Sequence, residues 1–120
     1  MPHTMSSTWP TLEIQTSGRL GFDEQNEILS SVVEILRAAP DSVVHIDHST
    51  AEIVGTTEEA HAFGHRVGEA LKPFEKVFVA IFVGNEARVA PLVDVSVMIA
   101  KKLGVRISTF NDFDRLVLQT

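Results

Sequence analysis

Residues Lys76 to Val83 read KVFVAIFV, a nearly unbroken apolar run rich in β-branched and aromatic side chains. A run of this length and composition predicts an interior strand covered on both faces. Just before it, Pro73 closes a helical segment that opens at Thr56-Thr57-Glu58-Glu59, where Thr56 and Glu59 have the capping-box spacing. Within that segment Ala60, Phe63, Val67, Ala70 and Leu71 fall on one stripe, with Glu58, His61, His65, Glu69 and Lys72 opposite. Ala60, Gly64 and Gly68 also form a row of small residues that permits close helix packing within the fold. After the run, Gly84-Asn85 leads into a third helical region to about Leu103, stopped by Gly104 and followed by the strand VRISTF and a short closing helix over Asp112 to Leu118.

Upstream, Val43, Val44 and Ile46 predict a strand over Ser42 to Asp47, with His48 to Gly55 as a polar connection. A helix capped by Asp23 runs to Ala39, its apolar residues at helical spacing until Pro40. Leu12, Ile14 and Thr16 alternate with Glu13, Gln15 and Ser17 in the first strand, and Met1 to Thr8 has the polar character of a flexible N-terminus. The order βαβαβαβα over residues 9–120 predicts one α/β domain: a mostly parallel, mixed sheet of four to five strands covered by helices.

The 120 residues carry 10 Lys plus Arg against 16 Asp plus Glu, a net charge of -6, with 44% hydrophobic residues. With a pI near 5.2 and a mean hydropathy of +0.13, the chain has enough apolar material for one core. No Lys/Arg cluster offers a nucleic-acid surface, so no nucleic-acid partner is expected. The absence of cysteine excludes disulfides, thiolate catalysis and Cys-based metal sites. No apolar run reaches the roughly 18 residues that span a bilayer, and Met1 to Trp9 lacks a signal-peptide pattern. A cytoplasmic protein without membrane insertion is the expectation.

The segment LEIQTSGRLGFDEQNEILSSVVEIL, with Gly18, Leu20 and the amphipathic helix after them, resembles the opening of a STAS or SpoIIAA-like domain. VVHID resembles that fold's strand ending at an acidic or polar position, KVFVAIFVGNEA its central strand and Gly-containing turn, and GVRISTFNDFDRLVL its final strand and closing helix. The resemblance runs from about Trp9 to Leu118. It implies a non-enzymatic bacterial interaction domain without a cofactor, of a kind sometimes switched by phosphorylation of a Ser or Thr at a helix N-terminus. The family's antagonists place an Asp-Ser pair where the middle strand meets the next helix. Here His48-Ser49-Thr50 stands several residues before Thr56-Thr57, which makes Ser49 and Thr57 the approximate counterparts and the candidate phosphorylation sites.

Other residues are candidates on their own chemistry. Ligands of open α/β sheets meet the carboxyl ends of the strands, where Asp47, His48, Asn85, Asn111 and Asp112 gather, although such residues also serve turns. Asp47, His48 and Ser49 supply the residue types of a hydrolytic triad, but neighbours on an extended chain point to alternate sides, and no G-x-S-x-G elbow is present. His45, Asp47 and His48 together with His61 and His65 supply metal-ligating side chains, and His61 and His65 stand at i,i+4, one turn after Glu58. A third ligand and a second shell are missing there and His45 reads as a tucked strand residue, so no metal site is assigned. On the third helix Pro91, Val95 and Met98 are left outside a core stripe of Val89, Leu92, Val93, Ser96, Ile99, Ala100 and Leu103, a ridge suited to a homodimer or protein partner. Regulatory interaction is thus the leading expectation, a small-ligand or lipid carrier the second, and a metal-dependent enzyme using His61 and His65 the third.

Overall fold

The computed structural model describes residues 3–8, 11–40, 43–83 and 90–110. Its strands are β1 (His3–Thr8), β2 (Thr11–Leu20), β3 (Val43–Ile53), β4 (Phe78–Phe82) and β5 (Arg106–Phe110); its helices are α1 (Phe22–Ala38), α2 (Thr57–Leu71) and α3 (Ala90–Lys102). One sheet carries the strands in sequential order, β2 to β5 parallel and β1 antiparallel to β2. With that order, right-handed crossovers bring the three helices to one face, where α1 packs on α2 and α2 on α3. The α/β class, mostly parallel and mixed, is the one the alternation of patterns predicted.

Two boundaries differ from that expectation. His3–Thr8, expected to be flexible, instead pairs along its whole length with β2. An edge strand needs backbone partners more than an apolar pattern, and Met5, in register with Ile14, packs against the core. The segment His48 to Ile53, expected as a loop, continues β3 alongside β2. The first helix starts earlier than Asp23: Gly21 is its N-cap and Asp23 and Glu24 occupy the first turn, where acidic side chains favour the helix dipole.

The core lies between sheet and helices. Leu12, Val44, Val79 and Ile107 align across the four parallel strands and are all buried, together with Ile28, Val32 and Leu36 of α1. In β4, Val79, Ala80, Ile81 and Phe82 are buried in succession, so both faces of this interior strand are covered.

The α2–α3 seam is set by glycine. A Cβ on Gly64 would lie 2.7 Å from Ile99 Cβ, and one on Gly68 would lie 2.8 Å from Leu103 Cβ, so only hydrogen at these positions lets α3 approach. Ser96 Oγ donates to the Ala60 carbonyl at 2.8 Å across the same seam. Consequently α3 has two inward stripes: Val93, Val97 and Ala100 join the core cluster, and Ser96, Ile99 and Leu103 ride on α2. This corrects the expected core stripe of α3, in which Val97 was missing and Leu103, here 40% exposed, was included. Gly104 ends the turn after α3 at φ 97°, a conformation that costs a side-chain-bearing residue and not glycine. The closing helix expected over Asp112 to Leu118 lies outside the described residues.

Candidate functional site

The inward row of each central strand turns polar at its carboxyl end. On β2 the inward residues are Leu12, Ile14 and then Thr16; on β3 they are Val44, Ile46 and then His48. At that level the register slips. Gln15 faces Asp47 and Ser17 faces Thr50, so Thr16 alone stands opposite two residues, His48 and Ser49. A β-bulge of this kind is rare between parallel strands, and it reverses the parity of everything beyond it. Past the bulge the buried residues of β3 are Ala51 and Ile53 instead of Thr50 and Glu52.

Side-chain hydrogen bonds hold the bulge together. Thr16 Oγ1 donates to the Asp47 carbonyl at 3.0 Å and lies 2.7 Å from His48 Nδ1. Thr50 Oγ1 returns a bond to the Thr16 carbonyl at 2.8 Å. A hydroxyl has one proton; with the Thr16 proton on the Asp47 carbonyl, the contact with His48 is a bond from Nδ1–H to Thr16 Oγ1. That tautomer leaves Nε2 as an acceptor. Burial pushes the His48 imidazole down to about 4, the nearby Asp47 charge opposing the shift only in part, so the ring is neutral at physiological pH.

Asp47 and Ser49 form the other half of the site. One Asp47 carboxylate oxygen, Oδ1, accepts from Ser49 N–H at 2.9 Å and also from the Ser49 hydroxyl in a short bond. Both residues are half-buried. His48 faces the core, away from this pair, so the three residues do not assemble a triad. Asp47 is in register with Phe82 near the end of β4, which places the bulge at the carboxyl edge of the sheet.

Beneath the bulge lies a cavity of about 60 Å³ between the helices and the sheet. Its wall is aliphatic, with Val44, Ile81 and Val97 among the lining residues, and its polar members are Gln25, His48 and Ser96.

The residues singled out from sequence thus separate. Asp47, His48 and Ser49 meet at the bulge, but His48 is 7% exposed and turned inward, not presented at an open edge. Asn85, Asn111 and Asp112 lie outside the described residues. Thr57 is the exposed first residue of α2, next to Thr56, whose Oγ1 accepts from Glu59 N–H at 3.1 Å while Glu59 Oε1 accepts from Thr56 N–H at 2.9 Å. Glu58, His61 and His65 are exposed along α2, and no group of three or more metal-ligating side chains occurs among the described residues. Pro91 and Met98 are exposed on α3 and Val95 is half-buried. His45 packs edge-on against Phe82 at 5.9 Å. Thr16, which ties the site together, was not singled out, although its place at the end of a buried alternation was a signal for it.

This geometry sits in a known architecture. The chain superposes on the solved structure of the phosphorylated form of SpoIIAA, a cell fate determinant of Bacillus, with a TM-score of 0.52 over 98% of this chain and 99% of that one. The chain has the SpoIIAA-like fold. Sequence identity across the match is 11%, so the likeness is one of fold. No family model matches the chain, and no curated protein matches it in sequence. Among the described residues no helix is long and apolar enough to cross a membrane.

Proposed function

We propose that the chain is a non-enzymatic regulatory interaction domain, bacterial and cytoplasmic in setting, whose switch is Ser49. The observation that carries this is the bond from the Ser49 hydroxyl to the Asp47 carboxylate at the bulge. A hydroxyl already aimed at a carboxylate has a group to take its proton as its oxygen attacks the γ-phosphorus of a nucleoside triphosphate, with the nucleoside diphosphate leaving. The phosphate then adds nearly two negative charges beside Asp47. Repulsion replaces the hydrogen bond, and the carboxyl edge of β3 changes shape and charge together. The fold it shares with SpoIIAA, solved in a phosphorylated form, supports the same reading. Thr57 is the weaker acceptor, because Glu58 and Glu59 occupy the helix turn on which its phosphate would sit.

The partner surface in this proposal is the outer ridge of α3. Met98 is 45% exposed, one of two large apolar side chains so exposed among the described residues, and Pro91 and Val95 lie on the same helix. Either a second copy or a partner protein fits such a ridge.

Incubation with nucleoside triphosphate and the cognate kinase should add the mass of one phosphate to the intact chain, and Ser49→Ala should abolish it. Retention of that mass in Ser49→Ala but not in Thr57→Ala would move the switch to α2. Native mass spectrometry of the untagged chain tests the ridge: a dimer that Val95→Glu or Met98→Glu converts to a cooperatively folded monomer supports it. An unaltered dimer removes the ridge from the interface.

A further inference from the structure

Independently of that regulatory reading, we propose that the cavity beneath the bulge binds a small neutral molecule with an apolar body and one hydroxyl, an aliphatic alcohol, whose O–H donates to His48 Nε2. Three observations specify this ligand. The first is the wall, which is aliphatic over most of its extent and suits an apolar body. The second is the polar end. Ser96 Oγ gives its one proton to the Ala60 carbonyl, Gln25 Nε2 donates to the Gly21 carbonyl, and His48 Nδ1–H is held by Thr16. Gln25 keeps a second N–H and its Oε1, and Ser96 its hydroxyl lone pairs, but both side chains are half-buried. His48 Nε2 is a lone pair on the polar lining side chain that is more than nine-tenths buried, with no hydrogen-bond partner among the described residues. A guest that donates one hydrogen bond satisfies it; an ether, which only accepts, does not.

The third observation is charge. Among the described residues no cation lines the cavity, and the imidazole is neutral, so a carboxylate entering it would be buried against no opposite charge there. Size adds a limit. At roughly 10–15 Å³ for each water-sized probe, the space of about 60 Å³ takes a guest of about four to six heavy atoms.

1-Butanol and diethyl ether are isomers that differ in the donor, and butyrate adds the charge, so these three probes decide the matter. With methyl-labelled protein, 1-butanol should give saturable shifts at Val44, Ile81 and Val97 and move the His48 Nε2 nitrogen resonance. Diethyl ether should bind about three- to tenfold more weakly, the worth of one net hydrogen bond, and butyrate should leave these methyls in place. Val97→Phe fills the space and should abolish the butanol shifts, while the same spectrum shows whether the variant is folded. Equal affinity for the two isomers, unsaturable or scattered surface shifts, or binding that survives in folded Val97→Phe each overturns the proposal. If Val97→Phe does not fold, the affinities of the two isomers for the wild-type chain still separate a donor-selective cavity from an indifferent one. None of these outcomes touches Ser49, so failure here leaves the interaction reading standing, and a missing phosphate there leaves this one.

Discussion

Two levels of the same sheet, a few residues apart along each strand, are built on opposite principles. At the level of Leu12, Val44, Val79 and Ile107 every inward residue is apolar and buried, and the strands keep perfect register. At the level of Thr16 and His48 the inward residues are polar, equally buried, and the register slips by one residue. The lower level is held by non-directional burial, which tolerates imprecise shape. The upper level is held by a few directed hydrogen bonds, each of which leaves a buried group unsatisfied when its partner is removed. The first arrangement resists small errors of shape, and the second depends on each partner being present.

The largest effect should come from the apolar level. Leu12 is 1% exposed at the centre of the cluster, and Leu12→Ala should cost about 2–5 kcal/mol, a large part of the roughly 5–15 kcal/mol expected for a small domain. Urea denaturation gives the number. A loss under about 1 kcal/mol would mean that the lower level is looser than its burial implies, and the contrast with the bulge would weaken.

Next in size is a pH effect that belongs to the upper level alone. The His48 pKa in the folded chain, about 4, lies below its ordinary value of 6.5. The unfolded chain therefore binds the proton first as pH falls. Stability from this group is complete above pH 6.5 and declines down to about pH 4, by about 3 kcal/mol in all. Because carboxylates titrate in the lower part of the same range, the test is a difference: the slope of unfolding free energy against pH in the wild type, minus that in Thr16→Val/His48→Leu. An unchanged slope would show that His48 is more solvated than its 7% exposure indicates.

How much of each level could be read from the sequence follows from the same contrast. Apolar periodicity is local, so KVFVAIFV, the Leu12-Ile14 alternation and the stripe of α2 located the strands, the helix and the α/β class. The Ala60, Gly64 and Gly68 row marked a close helix packing, and the structure supplies its partner, α3. The bulge escaped because it depends on a partner distant in sequence. In VVHIDHSTAEIV the inward positions run Val44, Ile46, His48 and then Ala51 and Ile53, so the period of two breaks at Ser49 and resembles the end of a strand. Only pairing with β2 reveals that the strand continues. The inward turn of His48 is hidden for the same reason, since its stabilising contact is Thr16, 32 residues away. On α3 the sequence offered more apolar positions than one stripe can use, and only the packing on both α2 and the sheet decides between Val97 and Leu103.

A smaller effect separates the two kinds of bond within the upper level. Thr16→Val keeps the shape and removes the hydroxyl, leaving the His48 Nδ1–H and the Asp47 carbonyl without it, and should cost about 1–3 kcal/mol. Adding His48→Leu removes the stranded donor as well, so the double variant should recover part of that loss. Additive losses would mean that the two residues are not coupled through their bond.

The smallest effect is the one on which the proposed switch depends. Ser49→Ala removes the hydroxyl bond to Asp47 but leaves the Ser49 N–H bond to the same oxygen, and Ser49 is half-buried, so water can take over at Asp47. The loss should be no more than about 0.5–1.5 kcal/mol, with the bulge intact, as shown by unchanged amide exchange at Ala51 and Ile53. A group that contributes little to the fold is free to be modified without unfolding the chain, whereas Thr16 and His48 are not. If Ser49→Ala instead destabilises as much as Thr16→Val, Ser49 belongs to the structural knot, and a phosphate there would break the sheet edge itself.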